Sequence, residues 1–240
     1  MSEVILVVSG RPERRDGLVA AARHLGGLIG EGRVRLLLLT PQAGVPPLPD
    51  VAVPDMVVDV LPAGADVAAA VEARGSRADF LVVAKQGPED DRATRHAFDA
   101  ALFRTERPVL MVPAGDASGA FGRRVAIAWR DDAQTMKALV PALRMLSGAE
   151  QVSLLAGVRS GTAPPTVPPV LVEHGVTATL HVLPIGSGAF GDLLLSRARE
   201  LGADLLIMGA YAHSPLREML LGGVTRTILA HADLPVLLRH

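Results

Sequence analysis

The residues best placed to do chemistry lie in one stretch, Leu205-Leu206-Ile207-Met208-Gly209-Ala210-Tyr211-Ala212-His213-Ser214-Pro215-Leu216-Arg217-Glu218-Met219-Leu220-Leu221-Gly222-Gly223-Val224-Thr225. A buried-strand pattern runs into a turn of small residues, then a loop, and Gly222-Gly223 opens a helical pattern at Val224. The first amides of a helix have no intrahelical acceptor and carry partial positive charge, which favours phosphate. Glycine at that point lets an anion approach the backbone closely. The candidate cradle is therefore Gly209, Ala212, His213, Gly222, Gly223, Val224 and Thr225, with glycines that merely turn the chain as the competing reading. His213 is the one histidine whose position faces this site.

Other motifs point to less. Gly186-Ser187-Gly188-Ala189-Phe190-Gly191 spells a dinucleotide fingerprint, but it follows the third strand of its half rather than the first. The acid that should sit at the end of the next strand is replaced by Asp204, which precedes one. A flexible turn with Asp192 in the first helical turn is the better reading. The seven histidines include no pair at i, i+4 spacing, and surface histidines with no metal site are expected. The chain has no cysteine, which removes disulfides, thiolate-bound zinc, iron–sulfur clusters and a cysteine nucleophile. Neither a nucleophile elbow nor a P-loop is present. In Trp129-Arg130-Asp131-Asp132 both carboxylates could cap a helix starting at Ala133.

The elements that must position these groups follow from hydrophobic patterning. Apolar residues make up 49% of the 240 residues, enough for a sizeable core. Only seven aromatics are present (five Phe, one Tyr, one Trp), so Leu, Val, Ala and Ile must build it. A formal net charge of −1 leaves no footprint for nucleic acid or anionic lipid. No apolar run approaches the roughly twenty residues of a membrane span. With Glu3 and no basic leader at its start, the chain reads as soluble and cytoplasmic.

Continuous β-branched runs suit strands buried on both faces. Strands are expected at Val4–Val8, Val34–Leu39, Met56–Val60, Phe80–Val83 and Val109–Val112, with helices over Leu18–Ile29, Val67–Arg74 and Ala93–Phe103. The pattern then restarts after a small, flexible segment, 116–122. Strands follow at Val125–Trp129, Val152–Val158, Ala178–Leu183, Leu205–Met208 and Val236–Leu238. Helices are expected at Ala133–Leu146, Val170–His174, Leu193–Leu201 and Val224–His231. Residues repeat as well as patterns. Ala78-Asp79-Phe80-Leu81 matches Ala203-Asp204-Leu205-Leu206, 125 positions on, and Pro108-Val109-Leu110 matches Pro235-Val236-Leu237, 127 positions on. The first strands begin at Val4 and Val125, an offset of 121. A tandem duplication follows, giving domains at 1–115 and 123–240. Strand–helix alternation makes each a doubly wound α/β domain with a five-stranded, mostly parallel sheet flanked by helices. Such sheets bind ligands at the carboxyl ends of their strands.

Segment 204–238 resembles the C-terminal signature of the universal stress protein family. ATP-binding members carry Gly, two residues, Gly, nine residues, then Gly followed by Ser or Thr. Here Gly209 fills the first position and Gly222 the third, with residues 213–221 between; Ala212 replaces the second glycine and Gly223 the Ser/Thr. Leu220-Leu221-Gly222, Val224-Thr225 and Leu234-Pro235-Val236-Leu237 fit the pattern too. The resemblance spans the chain as two copies, strong in the second and weak in the first. It implies a cytoplasmic stress-response module, regulatory or protective rather than a turnover enzyme, with adenine nucleotide (ATP) at the second copy. An acidic residue after the first strand would serve the nucleotide; its usual position is taken here by Arg130, and Asp131 or Asp132, one and two residues on, could serve by a small shift. It also implies an unidentified protein partner, and halves that pair as an intramolecular pseudo-dimer, with a further homodimer open. Ala212 adds a Cβ where phosphate approaches, and Gly223 lacks a hydroxyl, so the motif is degenerate. In the first copy Lys85-Gln86-Gly87 ends the strand without the glycine turn, and Ala97-Phe98-Asp99 brings no glycine to the helix start. Lys85 and Arg92 there read as a solvated loop. Two alternatives stay open, a protein-interaction module without nucleotide and a nucleotide-dependent enzyme of the related α/β group.

Overall fold

A computed structural model of the chain describes residues 3–30, 32–39, 56–62, 64–113, 120–186, 189–210 and 223–240. Two compact units result, Met1–Ala120 and Phe121–His240. Phe121 is buried, and the Gly122 amide donates to Asp204 Oδ1 at 2.7 Å, so the second unit takes in the end of the segment read as a linker.

The first unit runs β1 (Glu3–Ser9), α1 (Pro12–Ile29), β2 (Gly32–Leu39), β3 (Val57–Leu61), α2 (Val67–Gly75), β4 (Phe80–Ala84), α3 (Arg92–Arg104) and β5 (Val109–Val112). Its strands lie in the order β3-β2-β1-β4-β5, every pairing parallel. The second unit runs β6 (Arg124–Trp129), α4 (Ala133–Leu146), β7 (Gln151–Val158), α5 (Pro169–Glu173), β8 (Ala178–Pro184), α6 (Phe190–Glu200), β9 (Leu205–Gly209), α7 (Gly223–His231) and β10 (Val236–Arg239). Its order is β8-β7-β6-β9-β10, again parallel throughout. Both are doubly wound α/β units of order 3-2-1-4-5.

The central strands are apolar because both faces are covered. Ile5, Val7, Leu81, Val82, Leu110 and Met111 in the first unit, and Ala126, Ile127, Leu206, Ile207 and Leu237 in the second, are essentially inaccessible. Aspartates start three helices. Asp66, Asp91 and Asp132 accept the amides of Ala69, Thr94 and Thr135 at 3.0, 2.8 and 2.8 Å. Helix α1 begins at Pro12, six residues before the expected Leu18. Proline at the first helical position pre-sets φ and gives up only an amide that has no acceptor. The polar run behind it hides that start from a reading based on apolar spacing.

The two units share their main strand-tying hydrogen bonds, and the matched residues have physical reasons. The Asp79 amide donates to Val4 O at 2.8 Å while Asp79 Oδ2 accepts the Val4 amide at 2.8 Å. The Asp204 amide donates to Arg124 O at 2.9 Å, and its carboxylate accepts the amides of Gly122, Arg123 and Arg124. Each aspartate thus ties the start of its unit's first strand to the fourth. Leu81 N–Pro108 O and Leu206 N–Pro235 O (2.9 and 3.0 Å) repeat likewise, as do Lys85 N–Val112 O and Ala210 N–Arg239 O (2.7 and 2.8 Å). These pairs put Val4 opposite Arg124, an offset of 120. The register read from the first strands was one residue too long.

Helix α4 contains Pro141, which supplies no N–H to the carbonyl of Lys137 one turn back. Arg239 Nη1, from β10, donates to Lys137 O at 3.2 Å instead.

Candidate functional site

In each unit the chain leaves the first and fourth strands toward opposite edges of the sheet, which opens a crevice between their carboxyl ends. In the second unit this lies between the ends of β6 and β9. Of the expected site residues, Asp131, Gly209, Gly223, Val224 and Thr225 are described; Ala212, His213 and Gly222 lie outside the described residues.

Gly209 ends β9 directly beneath the first turn of α4. A Cβ built on it would stand 2.8 Å from the carbonyl carbon and oxygen of Gln134 and 2.9 Å from the Thr135 nitrogen. Those are backbone atoms and cannot swing aside. Glycine at 209 is thus required by helix–strand approach, whatever else it serves. Gly223 differs. It is exposed at the start of α7, and a Cβ there meets no described residue within 4 Å. Val224 is half-buried, and Thr225 is 8% exposed, its side chain turned into the packing of α7. Only Gly223, of these three, presents open backbone.

On the other side of the crevice Asp132 caps α4 and ion-pairs with Arg130, while Asp131 is exposed. Burial pushes the Asp132 carboxyl up, but the Thr135 amide and Arg130 together outweigh it and hold it below the ordinary aspartate value. Asp132 is thereby committed to the helix, and Asp131 is the carboxylate of this turn left facing solvent. Trp129 Nε1 and Gln134 Oε1, flanking that turn, are buried without a hydrogen-bond partner among the described residues.

The last fingerprint glycine has another use. Gly191 sits in the first turn of α6, where a Cβ would come 2.6 Å from Thr227 Cβ of α7. It lets two helices touch, and Asp192 follows it in the first helical turn as expected. Among the described histidines, His181 Nδ1 lies 3.2 Å from Arg197 Nη2, His174 contacts Val170 O at 2.9 Å, and His231 Nδ1 stands 3.8 Å from Asp192. Among the described residues no group of three His, Asp or Glu is arranged to hold a metal ion, and no helix is long and apolar enough to cross a membrane.

The first unit's crevice, between the ends of β1 and β4, is filled by the chain itself. Asp90, its side chain 1% exposed, accepts the Gly87 amide through Oδ2 at 2.8 Å. Its Oδ1 lies 3.0 Å from Arg11 Nε and 3.6 Å from Arg14 Nη1. Arg14 Nη1 also donates to Lys85 O at 3.1 Å, and Arg11 and Arg14 reach Glu89. Gly10 is pressed against Thr94 of α3, and a Cβ there would lie 2.2 Å from Thr94 Oγ1. The remaining cavity is about 20 Å³, roughly the room one water needs. Sequence reading missed this cluster because Arg11, Arg14 and Asp90 are polar residues some 75 positions apart, in no motif.

Two doubly wound α/β units with ligand-type crevices define the class of protein. Within that class, residues 169–240 match the universal stress protein family. Solved structures resemble the chain over its whole length. A universal stress protein from Archaeoglobus fulgidus is 15% identical, with a TM-score of 0.73 over 100% of this chain and 96% of its own. A candidate universal stress protein from Pseudomonas aeruginosa is 14% identical, with a TM-score of 0.69 over 99% and 93%. The cytoplasmic domain of a prokaryotic cation chloride cotransporter is 12% identical, with a TM-score of 0.54 over 99% and 95%. A comparison with curated proteins gives no significant match. The chain is thus recognised as similar to the universal stress protein family, through its sequence in the last 72 residues and through its fold along its whole length.

Proposed function

We propose that this chain is a cytoplasmic stress-response module, regulatory or protective rather than catalytic, whose second unit takes one adenine nucleotide. The observation that carries this is the asymmetry of the two crevices. The first is filled by Arg11, Arg14 and Asp90, whereas the second has open backbone at Gly223 where α7 begins and an exposed carboxylate at Asp131. Phosphates would lie on the first amides of α7, residues 223–225, with Gly222 giving close approach and Ala212 and His213 lining the loop. Asp131 would face the sugar hydroxyls. No metal ion is assigned to the site. Two copies in one chain would supply internally the pairing that single-domain family members make as dimers.

Calorimetric titration with ATP tests this. At most one nucleotide should bind per chain, and Gly222→Val should abolish it. Ala212→Gly with Gly223→Ser restores the family pattern and should tighten binding by roughly five- to a hundredfold, equivalent to about 1–3 kcal/mol. Two equivalent sites, or ligand only in residues 1–115, would refute the reading.

A second reading is an interaction module without nucleotide. It is favoured by Gly209, which packing against α4 explains in full, and by the occurrence of this fold as a domain of a transporter. It takes over if the restored double variant folds and still shows no ATP binding.

A further inference from the structure

We infer that the first unit's crevice is an oxyanion-binding site whose occupant is the chain's own Asp90 carboxylate, whether or not the second unit takes nucleotide. The position is where a doubly wound sheet receives its ligand, between the carboxyl ends of the first and fourth strands. Two guanidinium groups converge there from the first turn of α1, with Arg11 as its N-cap residue. Between them stands one carboxylate oxygen, ion-paired at 3.0 Å from Arg11 Nε and 3.6 Å from Arg14 Nη1 but buried without a hydrogen bond among the described residues, while the Gly87 amide donates to the other oxygen. Two guanidinium charges joined by a donating backbone amide suit a bound carboxylate or phosphate group. The Asp90 side chain is 99% buried, so this is a carboxylate withdrawn from water into a built pocket rather than a surface ion pair.

The occupant arrives from the connection between β4 and α3, residues 85–91, tethered at both ends by regular structure. Tethering over so short a connection presents the carboxylate to its arginines at an effective concentration of ~1 mM or above. A free anion well below that concentration therefore does not displace it, and the unit is locked rather than vacant. The adjoining cavity, lined by Ser9, Gly10, Thr94 and Phe98 among others, extends the space that removal of the carboxylate would open. The class of ligand that fits is a small carboxylate or phosphate-type oxyanion.

Chemical rescue tests this on the full chain. Asp90→Ala leaves a hole of the size of formate beside Arg11 and Arg14. Thermal unfolding is followed in sodium formate, sodium phosphate and sodium chloride at equal ionic strength. Formate or phosphate should raise the midpoint of Asp90→Ala above its value in chloride by on the order of a few degrees, saturably, with no such difference in the unsubstituted chain. Adding Arg11→Gln and Arg14→Gln should remove the response. Asp90→Ser, which keeps an oxygen for the Gly87 amide, is measured in parallel and judged in the same way should the alanine variant not fold. The isosteric Asp90→Asn, with its pocket still filled, should show no response. Equal midpoints in all three salts for the alanine and serine variants overturn the inference. A response of the same size in the unsubstituted chain or in Asp90→Asn also overturns it, since the anion then binds elsewhere.

Discussion

Gly209→Ala separates packing from ligand binding at the one family-type glycine the structure describes. The added methyl would sit 2.8–2.9 Å from three backbone atoms of Gln134 and Thr135, well inside contact distance. Relief requires the first turn of α4 to lift from the end of β9, and that turn also carries the Asp132 cap. Overpacking of this kind costs about 1–3 kcal/mol. Loss of glycine's freedom in the unfolded chain returns about 0.4–1 kcal/mol, so a net destabilisation between about 0 and 2.6 kcal/mol is expected, centred on about 1.3 kcal/mol. Trp129 makes the assay specific. It is the single tryptophan, 4% exposed at the end of β6, so its fluorescence in denaturant reports unfolding of the second unit. Gly223→Ala is the control, since no described residue lies within 4 Å of a Cβ at that position. It should leave the transition unchanged or raise it slightly. A Trp129 transition for Gly209→Ala at or above that of the unsubstituted chain, with equal slope, refutes the packing argument and returns Gly209 to the ligand site alone.

Two further outcomes follow from the same geometry. Arg239→Leu should lower the stability of the second unit by about 0.5–1.5 kcal/mol, because Lys137 O loses the donor that replaces the missing amide of Pro141. The loss should shrink when Pro141→Ala restores that amide, and additive effects of the two substitutions would sink the idea. Burial, and then the neighbouring Arg197, hold the His181 imidazole below its ordinary pKa of 6.5. The folded state therefore resists protonation that the unfolded chain accepts, so stability falls as pH drops below about 6.5 and the loss is complete once pH has passed the folded value. His181→Gln should flatten that part of a stability profile measured between pH 7.5 and 5; an unchanged slope would show that His181 is not responsible.

Much of the architecture follows from local pattern. Runs such as Val4–Val8 and Leu205–Met208 are apolar at every position because both faces of a parallel sheet are covered, and that is visible residue by residue. The likeness of the two units was legible because Asp79 and Asp204 make similar strand-tying hydrogen bonds at the same place in each. A helix cap at Asp131-Asp132 was legible too, since capping acts over three residues, though only the structure gives it to Asp132. The start of α1 was not, because Pro12 and the charged turn after it show no apolar stripe.

What tertiary structure alone decided are contacts between residues remote in sequence. Gly209 belongs to a motif, yet its neighbours Gln134 and Thr135 stand some 75 positions away, and only the crossing of α4 over β9 reveals why no side chain fits. Asp90 resembles any polar loop residue until the fold sets it between Arg11 and Arg14 and closes a crevice that the sequence presented merely as lacking glycines. Periodicity and spacing report which face of an element is buried. What that face meets is set by chain topology, and both crevices are made there.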